Sequence, residues 1–463
     1  MTDSKNLLSG SIFSSLTALA LPIMGTSFLN MAYHLVDMVW IGILGSGAVA
    51  SIGIAGYFIT FSMALVRLVQ VGTEVNIAQS IGAEKGDRAN RYAGTALRMA
   101  VGIALIYGLG LLLFNRQLIG FFRIDHPMVE RDARHYLMIM SLGMVFVFLN
   151  PIITCIYNGA GYSKAPFKVN AMGMAANMVL DPLMIFGLNL GVRGAALATV
   201  FSQMLVTLVL VRMLIRNRPF QQFRFKGGWS ASLMREIGRL GAPVALQSGL
   251  FSVYSVLLAR IVAGYGPAAM AAQKVGVQIE SISYMTAHGF AIALSSFTGQ
   301  NMGAGKPDRV KQGIKTAGVV MFVFGVITSL ILVIFARELF MIFIREEATV
   351  VIGTQYVRIL GFSQLFMCLE ITFSGGFNGL RKTTPPALVS ILFTGLRVPA
   401  AYLLARESLL GLDGIWWTIT GSSWIKGTLM TGMTFMLLQS PLLQTGHPTI
   451  TPGVSNAKDD TVS

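Results

Sequence analysis

The sequence predicts an all-α polytopic membrane protein, with twelve transmembrane helices in two six-helix bundles. Of the 463 residues, 54% are hydrophobic and only 12% are charged, whereas a soluble domain has about 25% charged residues. A spanning helix needs about 20 apolar residues, so this hydrophobic content is enough for about twelve spans. Two halves of the chain also share short motifs in the same order. This composition excludes a soluble enzyme.

Twelve apolar segments, separated by Gly, Pro or charged residues, are the predicted spans. Their approximate ranges are 12–40, 49–80, 92–114, 136–160, 168–189, 194–211, 241–263, 269–299, 315–336, 353–378, 386–405 and 413–438. The first apolar run is too long for the core of a signal peptide, so we expect the first helix to be retained.

The net charge of +15 predicts the orientation of the chain. With an even number of spans, both termini lie on one side, and 21 of the 35 Lys and Arg fall in the loops on that side against 8 on the other. Basic residues concentrate in cytoplasmic loops. We therefore expect an inner-membrane protein with both termini in the cytoplasm and no nucleic-acid partner.

An internal repeat is the strongest organisational signal. Residues 79–90 (QSIGAEKGDRAN) match 300–311 (QNMGAGKPDRVK) at an offset of 221, and 157–160 (YNGA) match 377–380 (FNGL) at an offset of 220. Six spans separate the copies, so the halves have the same orientation in the membrane. The predicted units are a first bundle at 1–211, a basic cytoplasmic linker at 212–240, a second bundle at 241–440 and a disordered cytoplasmic tail at 441–463.

Acidic residues inside the spans are the candidates for function, because a charge at membrane depth is costly unless it faces a wet cavity or a partner. The five are Asp37, Glu74, Asp181, Glu280 and Glu370. Asp37 has Tyr33 and His34 at positions i−4 and i−3, on the same side of a helix. Asp181 has Asn177 at i−4, and Pro182 after it interrupts the backbone hydrogen bonding.

Structural roles remain open for several of these polar residues. An acid can be an ion-pair partner of Arg67, Arg260, Lys274 or Arg397. Glu74, near the end of its span, is more typical of a structural residue. Glu280 can pair with Lys274 or bind substrate, and Glu370 can be structural or bind a cation. His34 can be a core histidine or a proton relay, and Asn150 is a candidate for a polar wall of the site.

The two cysteines, Cys155 and Cys368, lie in apolar runs without a CxxC or Cys/His pattern. We therefore expect neither a disulfide nor a cysteine metal site. No organic cofactor is expected.

Several segments resemble those of the multidrug and toxic compound extrusion (MATE) transporters. They are the GAEKGDRANR and GAGKPDRVKQ turns, YNGAGYSKAP, NMVLDPLMIFG and GVRGAALAT. Acids in both the first and fifth spans make the chain most similar to the branch typified by DNA-damage-inducible protein F.

The resemblance implies a cation or proton site in the first half. Carried onto this sequence, its residues are Asp37, Asn177, Asp181 and Thr199, with Tyr33 nearby and Pro22 as the kink that lets the first helix bend. Two carboxylates, an amide and a hydroxyl suit Na+, and two close carboxylates equally suit H+. Another branch has acids in the seventh and tenth spans. The seventh span here has Gln247 and no acid, which leaves a second ion site open.

The resulting hypothesis is a monomeric antiporter that exports amphipathic, often cationic, organic compounds in exchange for H+ or Na+ by a rocking-bundle cycle. Two alternatives are a flippase for a lipid-linked precursor, which needs a laterally open and more basic cavity, and an integral-membrane lipid-modifying enzyme. HExxH, GxSxG and His-rich loops are absent from the sequence, which disfavours the enzyme.

Overall fold

The computed structural model describes residues 7–123, 126–216 and 230–444, and this part of the chain is almost entirely helical. Twelve helices or helix pairs have the length and order of the predicted spans, which confirms the predicted fold class. They are α1 (Ile12–Ile43), α2 (Ser46–Gly82), α3 (Gly86–Leu113), α4 (Pro127–Gly159), α5 (Lys164–Pro182), α6 (Val192–Arg216), α7 (Ala231–Ala263), α8 (Pro267–Gly303), α9 (Pro307–Ile334), α10 (Glu347–Gly361 and Gln364–Gly379), α11 (Thr384–Gly395 and Arg397–Leu404) and α12 (Gly411–Gln439). Short helices follow α3 (Asn115–Gly120), α9 (Ala336–Met341) and α12 (Pro441–Gln444).

Ten of these twelve segments are apolar enough to cross a membrane, if the two parts of α10, bent by 51°, are taken as one span. The exceptions are α8 and α12, which carry buried polar residues, among them Asn301 in α8 and Lys426 in α12. Polar residues are tolerated at membrane depth when they face protein or a water-filled space. The two more polar helices are therefore expected to lie inside the molecule.

Each half of the chain has its own buried core, but α1 is shared between them. One core is built from α1 to α6 and the start of α7, whereas two others are built largely from residues of α7 to α12. The first part of α1, including Leu16, Leu19 and Ile23, is buried in a core of the second half. Its last part, including Ile41, is buried in the first. Any movement of α1 therefore acts on both bundles.

The predicted linker and tail lie mostly outside the described residues. Within the described part, α6 ends at Arg216 and α7 begins at Ala231, so residues 217–229 of the linker and residues 445–463 of the tail are not described. The division at 1–211, 212–240, 241–440 and 441–463 stays a prediction.

The two halves are tied together at the end of the molecule where α2 and α8 finish, which we call the closed end. Gln79 of α2 donates to the carbonyl of Gly379 at 3.0 Å, and Gln300 of α8 donates to the carbonyl of Gly159 at 2.8 Å. Donors and acceptors of the two bonds differ by 221 and 220 residues, the offsets of the repeat. The sequence repeat is thus also a repeat of contacts.

A carboxylate at the start of α7 strengthens the closed end. Glu236 lies 3.6 Å from Arg381 and 3.8 Å from Arg88, and Tyr92 donates a hydrogen bond to it. Arg381 also donates to Asn76 of α2 at 2.7 Å. Because Arg381 follows α10, this network joins the second half to the first.

Gly82→Ala is expected to destabilise the closed end. A Cβ on Gly82 would lie 1.9 Å from the carbonyl oxygen of Gln300, and one on Gly303 would lie 2.1 Å from that of Gln79. Overpacking of this kind costs about 1–3 kcal/mol, so either alanine variant should lower the apparent Tm of the detergent-solubilised protein. Gly110→Ala is the control, because its added Cβ meets nothing within 4 Å. Equal melting of all three variants would contradict this close packing.

Candidate functional site

Two carboxyl groups of the first bundle meet inside the protein. Asp37 of α1 and Asp181 of α5 are within hydrogen-bonding reach of each other, and Asp181 is fully buried. Two bare carboxylates in contact repel each other strongly, so the contact requires a proton or a cation between them. The structure therefore brings together the two acids that the sequence singled out.

Three neutral polar side chains complete this cluster. Asn177 donates from Nδ2 to Asp181 Oδ1 at 3.1 Å, and the Tyr33 hydroxyl donates to Thr199 Oγ1 at 3.1 Å. Both Asn177 and Thr199 are buried. All four residues carried over from the family pattern thus lie in one place. Tyr136 of α4 also lies close to the two acids. The sequence did not predict this residue for the site, because the apolar pattern of α4 does not distinguish it.

Three oxygen atoms of the cluster lack a hydrogen-bond donor. They are Asp37 Oδ1, Asn177 Oδ1 and Asp181 Oδ2, each buried and without a partner in the described part of the chain. Buried acceptors are normally satisfied. Oxygen atoms without donors are the ligands that a hard cation uses, and a carboxylate oxygen can also take a proton.

The backbone changes next to Asp181. Helix α5 is α-helical up to Pro182 and continues as a π-helix over Leu183–Gly187. Proline cannot supply the hydrogen bond that an α-helix needs at that point, and π segments occur frequently at functional sites. The local loosening that Pro182 predicts is present.

His34 and Pro22 lie on the same helix as Asp37. His34 is exposed and contacts the Tyr33 ring edge-on at 5.3 Å, so it is not a core histidine. Its ring makes no hydrogen bond to Asp37 within the described residues, and its role as a proton relay stays a prediction. Pro22 lies within a helix that runs without a break from Ile12 to Ile43, and bending at Pro22 likewise stays a prediction.

Asn150 does not form a wall of the acid cluster. Its amide donates to the backbone and side-chain oxygens of Gln203, and its Oδ1 accepts from Thr207 at 2.6 Å. Its hydrogen bonds join α4 to α6, and none of them reaches the acid cluster in the described part of the chain. A buried amide in an apolar span must be satisfied, and here a neighbouring helix satisfies it.

A second feature is a large cavity between α2 and the second bundle, which we call the central cavity. Its volume is about 700 Å³, and α2, α7, α8, α10, α11 and α12 line it. Its charged and titratable lining residues are Arg67, Glu74, Glu280, His288, Glu370, Arg397 and Lys426. Neither Asp37 nor Asp181 is among the residues that line it. The acid cluster and the cavity are therefore separate sites.

The acids of the second half lie in this cavity, with partners other than those considered from sequence. Glu370 forms an ion pair with Lys426 of α12 at 2.9 Å, and each side chain is 8% exposed. Glu280 accepts from Gln364 at 3.3 Å, whereas Lys274 is exposed. The proposed pairing of Glu280 with Lys274 was therefore wrong. Both acids line the cavity, and a substrate role for Glu280 stays a prediction.

Three further cavity residues have partners that the sequence did not predict. Arg67 Nη2 lies 3.2 Å from His288 Nε2, and Glu74 accepts from Ser296 at 2.9 Å. Glu74 is buried, and it lines the cavity although its place near a span end indicated a structural role. Arg67 and His288 are 221 residues apart, so they occupy equivalent positions of the repeat and meet where its two copies face each other.

Comparisons with known proteins agree with this architecture. The MatE family model matches the chain twice, at residues 22–183 and 243–403, which are separated by the repeat offset. A probable multidrug resistance protein NorM of Thermotoga maritima is 27% identical over 410 residues, covering 88% of each chain. An FAD transporter of Shewanella oneidensis is 23% identical over 405 residues, covering 84% of this chain and 87% of that protein.

One solved structure shows the same fold. It is described as the outward-facing conformation of a multidrug resistance MATE family transporter of the MOP superfamily, with a TM-score of 0.87 at 22% identity over 95% of this chain and 98% of that one. The expectation of a multi-pass transporter rather than an enzyme is confirmed. With the repeat, the twelve helices and the double match together, the chain belongs to the MatE family of membrane transporters.

Proposed function

We propose that this protein is a secondary active antiporter that exports small amphipathic organic compounds across the inner membrane in exchange for H+ or Na+. The observation that carries the proposal is the contact between Asp37 and Asp181, in a cluster where one oxygen atom each of Asp37, Asn177 and Asp181 is buried without a hydrogen-bond donor. Two bare carboxylates in contact repel each other, and a bound cation or proton removes that repulsion.

The coupling ion acts through α1. A bound cation or proton removes the repulsion between the carboxylates and holds α1 against α5, and its release restores that repulsion. Because the first part of α1 packs in a core of the second half, a shift of α1 alters the contact between the bundles. Ion and substrate then bias the same conformational change from separate sites, and their competition is reciprocal.

The central cavity supports a role in binding organic compounds. Its volume of about 700 Å³ is in the range of roughly 300–1,000 Å³ typical of sites for drug-sized ligands. Phe61, Met63, Phe251, Tyr284 and Met367 are among its lining residues, and Met and aromatic side chains adapt to varied apolar ligands. The relatives named as a multidrug resistance protein and an FAD transporter agree with organic cargo.

Charge and topology support the orientation. The closed end carries the basic turns that follow α2, α4, α8 and α10, and basic loops are cytoplasmic. We therefore place the closed end and both termini in the cytoplasm, and we assign this conformation to the state that is closed on that side. We propose a monomer, since the two bundles of one chain together enclose the central cavity.

A lipid flippase is less well supported. That alternative requires a cavity lined mainly by basic residues. The central cavity instead has as many acidic side chains, Glu74, Glu280 and Glu370, as Arg and Lys side chains, with three of each kind.

The proposed function is tested in proteoliposomes loaded with a fluorescent organic cation. An imposed pH gradient and an imposed Na+ gradient are applied separately, and protein-free vesicles serve as the control. We expect one of the gradients to drive transport at a rate several times that of the control. Transport driven by neither gradient would contradict antiport.

A further inference from the structure

Arg397 is the first residue of the second helical segment of α11, and it lines the central cavity. Its guanidinium donates from Nε to Ser422 Oγ at 2.5 Å and from Nη2 to Ser423 Oγ at 3.1 Å. Both acceptors are neutral hydroxyls. In the described part of the chain, Arg397 forms no ion pair within 4.0 Å.

The other charges of this wall do not neutralise Arg397 directly. The charge of Lys426 is already matched by Glu370 at 2.9 Å. Glu370 and Glu280 are both near enough to interact electrostatically with Arg397, but the ion pair of Glu370 is with Lys426 and the hydrogen bond of Glu280 is with Gln364. The guanidinium of Arg397 therefore has hydroxyl partners and no direct counter-ion in the described part of the chain, and its remaining N–H groups can bind an anion.

The shape of the Arg397 side chain favours one class of anion. Arg397 directly follows the one-residue interruption of α11 at Leu396. A guanidinium offers paired N–H donors that match the geometry of a carboxylate. A carboxylate at this point would therefore interact favourably with the side chain.

The repeat shows that the two halves have diverged at this position. Arg397 lies 220 residues after Asn177, the amide of the acid cluster, and by the same offset Ala401 and Ile419 replace Asp181 and Thr199. The second half therefore lacks the acid and hydroxyl of the ion site and has a fixed positive charge in place of the amide.

We propose that Arg397 forms a subsite for the carboxylate of an amphipathic organic substrate, with Glu280 facing a basic group of the same molecule. Substrates with an acidic group are therefore preferred over otherwise identical molecules in which that group is blocked. This inference rests on the proposed function, because it takes the central cavity as the substrate site. It is tested by equilibrium binding without any gradient, so its failure is distinct from a failure of ion coupling.

The test compares two probes with the same fluorophore. Tetramethylrhodamine has a free carboxylate, and its methyl ester has that group blocked and is a cation. Binding of each to the purified full chain is measured by fluorescence anisotropy. We expect the free acid to bind at least about tenfold more tightly than the ester, since ionic hydrogen bonds are the strong ones.

Variants separate recognition from folding. Arg397→Gln should weaken binding of the free acid and reduce its preference to less than about twofold, without weakening binding of the ester, whereas Arg397→Lys should retain part of the preference because the charge remains. Arg358→Gln is the matched control, since Arg358 is exposed on α10. If Arg397→Gln does not run as a single species in size-exclusion chromatography, Arg397→Lys alone tests the proposal. A loss of affinity for the acid without a loss of affinity for the ester would then support it. Equal affinity of the unmodified protein for the probes, binding of neither, or an equal loss for both in the Arg397 variants would overturn it.

Discussion

Asp37→Asn is expected to abolish ion-driven transport and to leave the protein folded. The amide cannot carry the negative charge that binds a cation or accepts a proton, although it has nearly the same shape. Because Asp37 and Asp181 are in contact, the remaining carboxylate has lost its partner as well. In proteoliposomes with an imposed gradient, we expect the transport rate to fall at least about tenfold, close to that of protein-free vesicles.

Two further measurements make this result specific. Asp308→Asn is the control, because Asp308 is an 85% exposed side chain in the first turn of α9, and it should transport normally. Removing one of two like charges relieves repulsion, so the apparent Tm of Asp37→Asn at pH 8 should equal or exceed that of the unmodified protein. Undiminished transport by Asp37→Asn, or a lower Tm, would contradict the assigned role.

Lys426→Met is expected to cause the largest loss of stability among the substitutions considered. The change leaves Glu370 as an unpaired charge in a place where its side chain is 8% exposed. Breaking a buried ion pair from one side costs about 3–5 kcal/mol, and Glu370→Gln, which leaves Lys426 unpaired, should act in the same direction. The apparent Tm in detergent measures the effect.

The double variant Lys426→Met/Glu370→Met distinguishes a pair from two independent residues. Replacement of both members of a buried pair by apolar groups is often nearly neutral, so the double variant should regain most of the lost Tm. Lys274→Met is the control, as Lys274 is exposed on the neighbouring α8. A double variant that melts at the temperature expected from adding the two single losses would show that the residues do not act as a pair.

The sequence predicted the fold and the acid cluster for related physical reasons. Apolar runs of spanning length mark the helices, and the cost of a charge at membrane depth marks Asp37 and Asp181 as residues with a special environment. The family motif then added Asn177 and Thr199, and the structure places all four together.

Partners across helices could not be predicted in the same way. The cost of burying Glu370 indicates that it needs a partner, but it does not indicate that the partner is Lys426, which is 56 residues away. For His34 and Asn150 the rotation of a helix decides the outcome, because a difference of one position turns a side chain by about 100°. The repeat shows which positions of the two halves are equivalent, as with Arg67 and His288, but most contacts between the halves join residues that are not equivalent.

The two hydrogen bonds of the closed end determine how the bundles can move apart. Gln79 and Gln300 reach in opposite directions across the boundary, each from one bundle to the last turn of a helix in the other. Both bonds cross the boundary at the same end of the molecule, so a movement that separates the bundles there lengthens both. We therefore expect the two bonds to break together when this end opens.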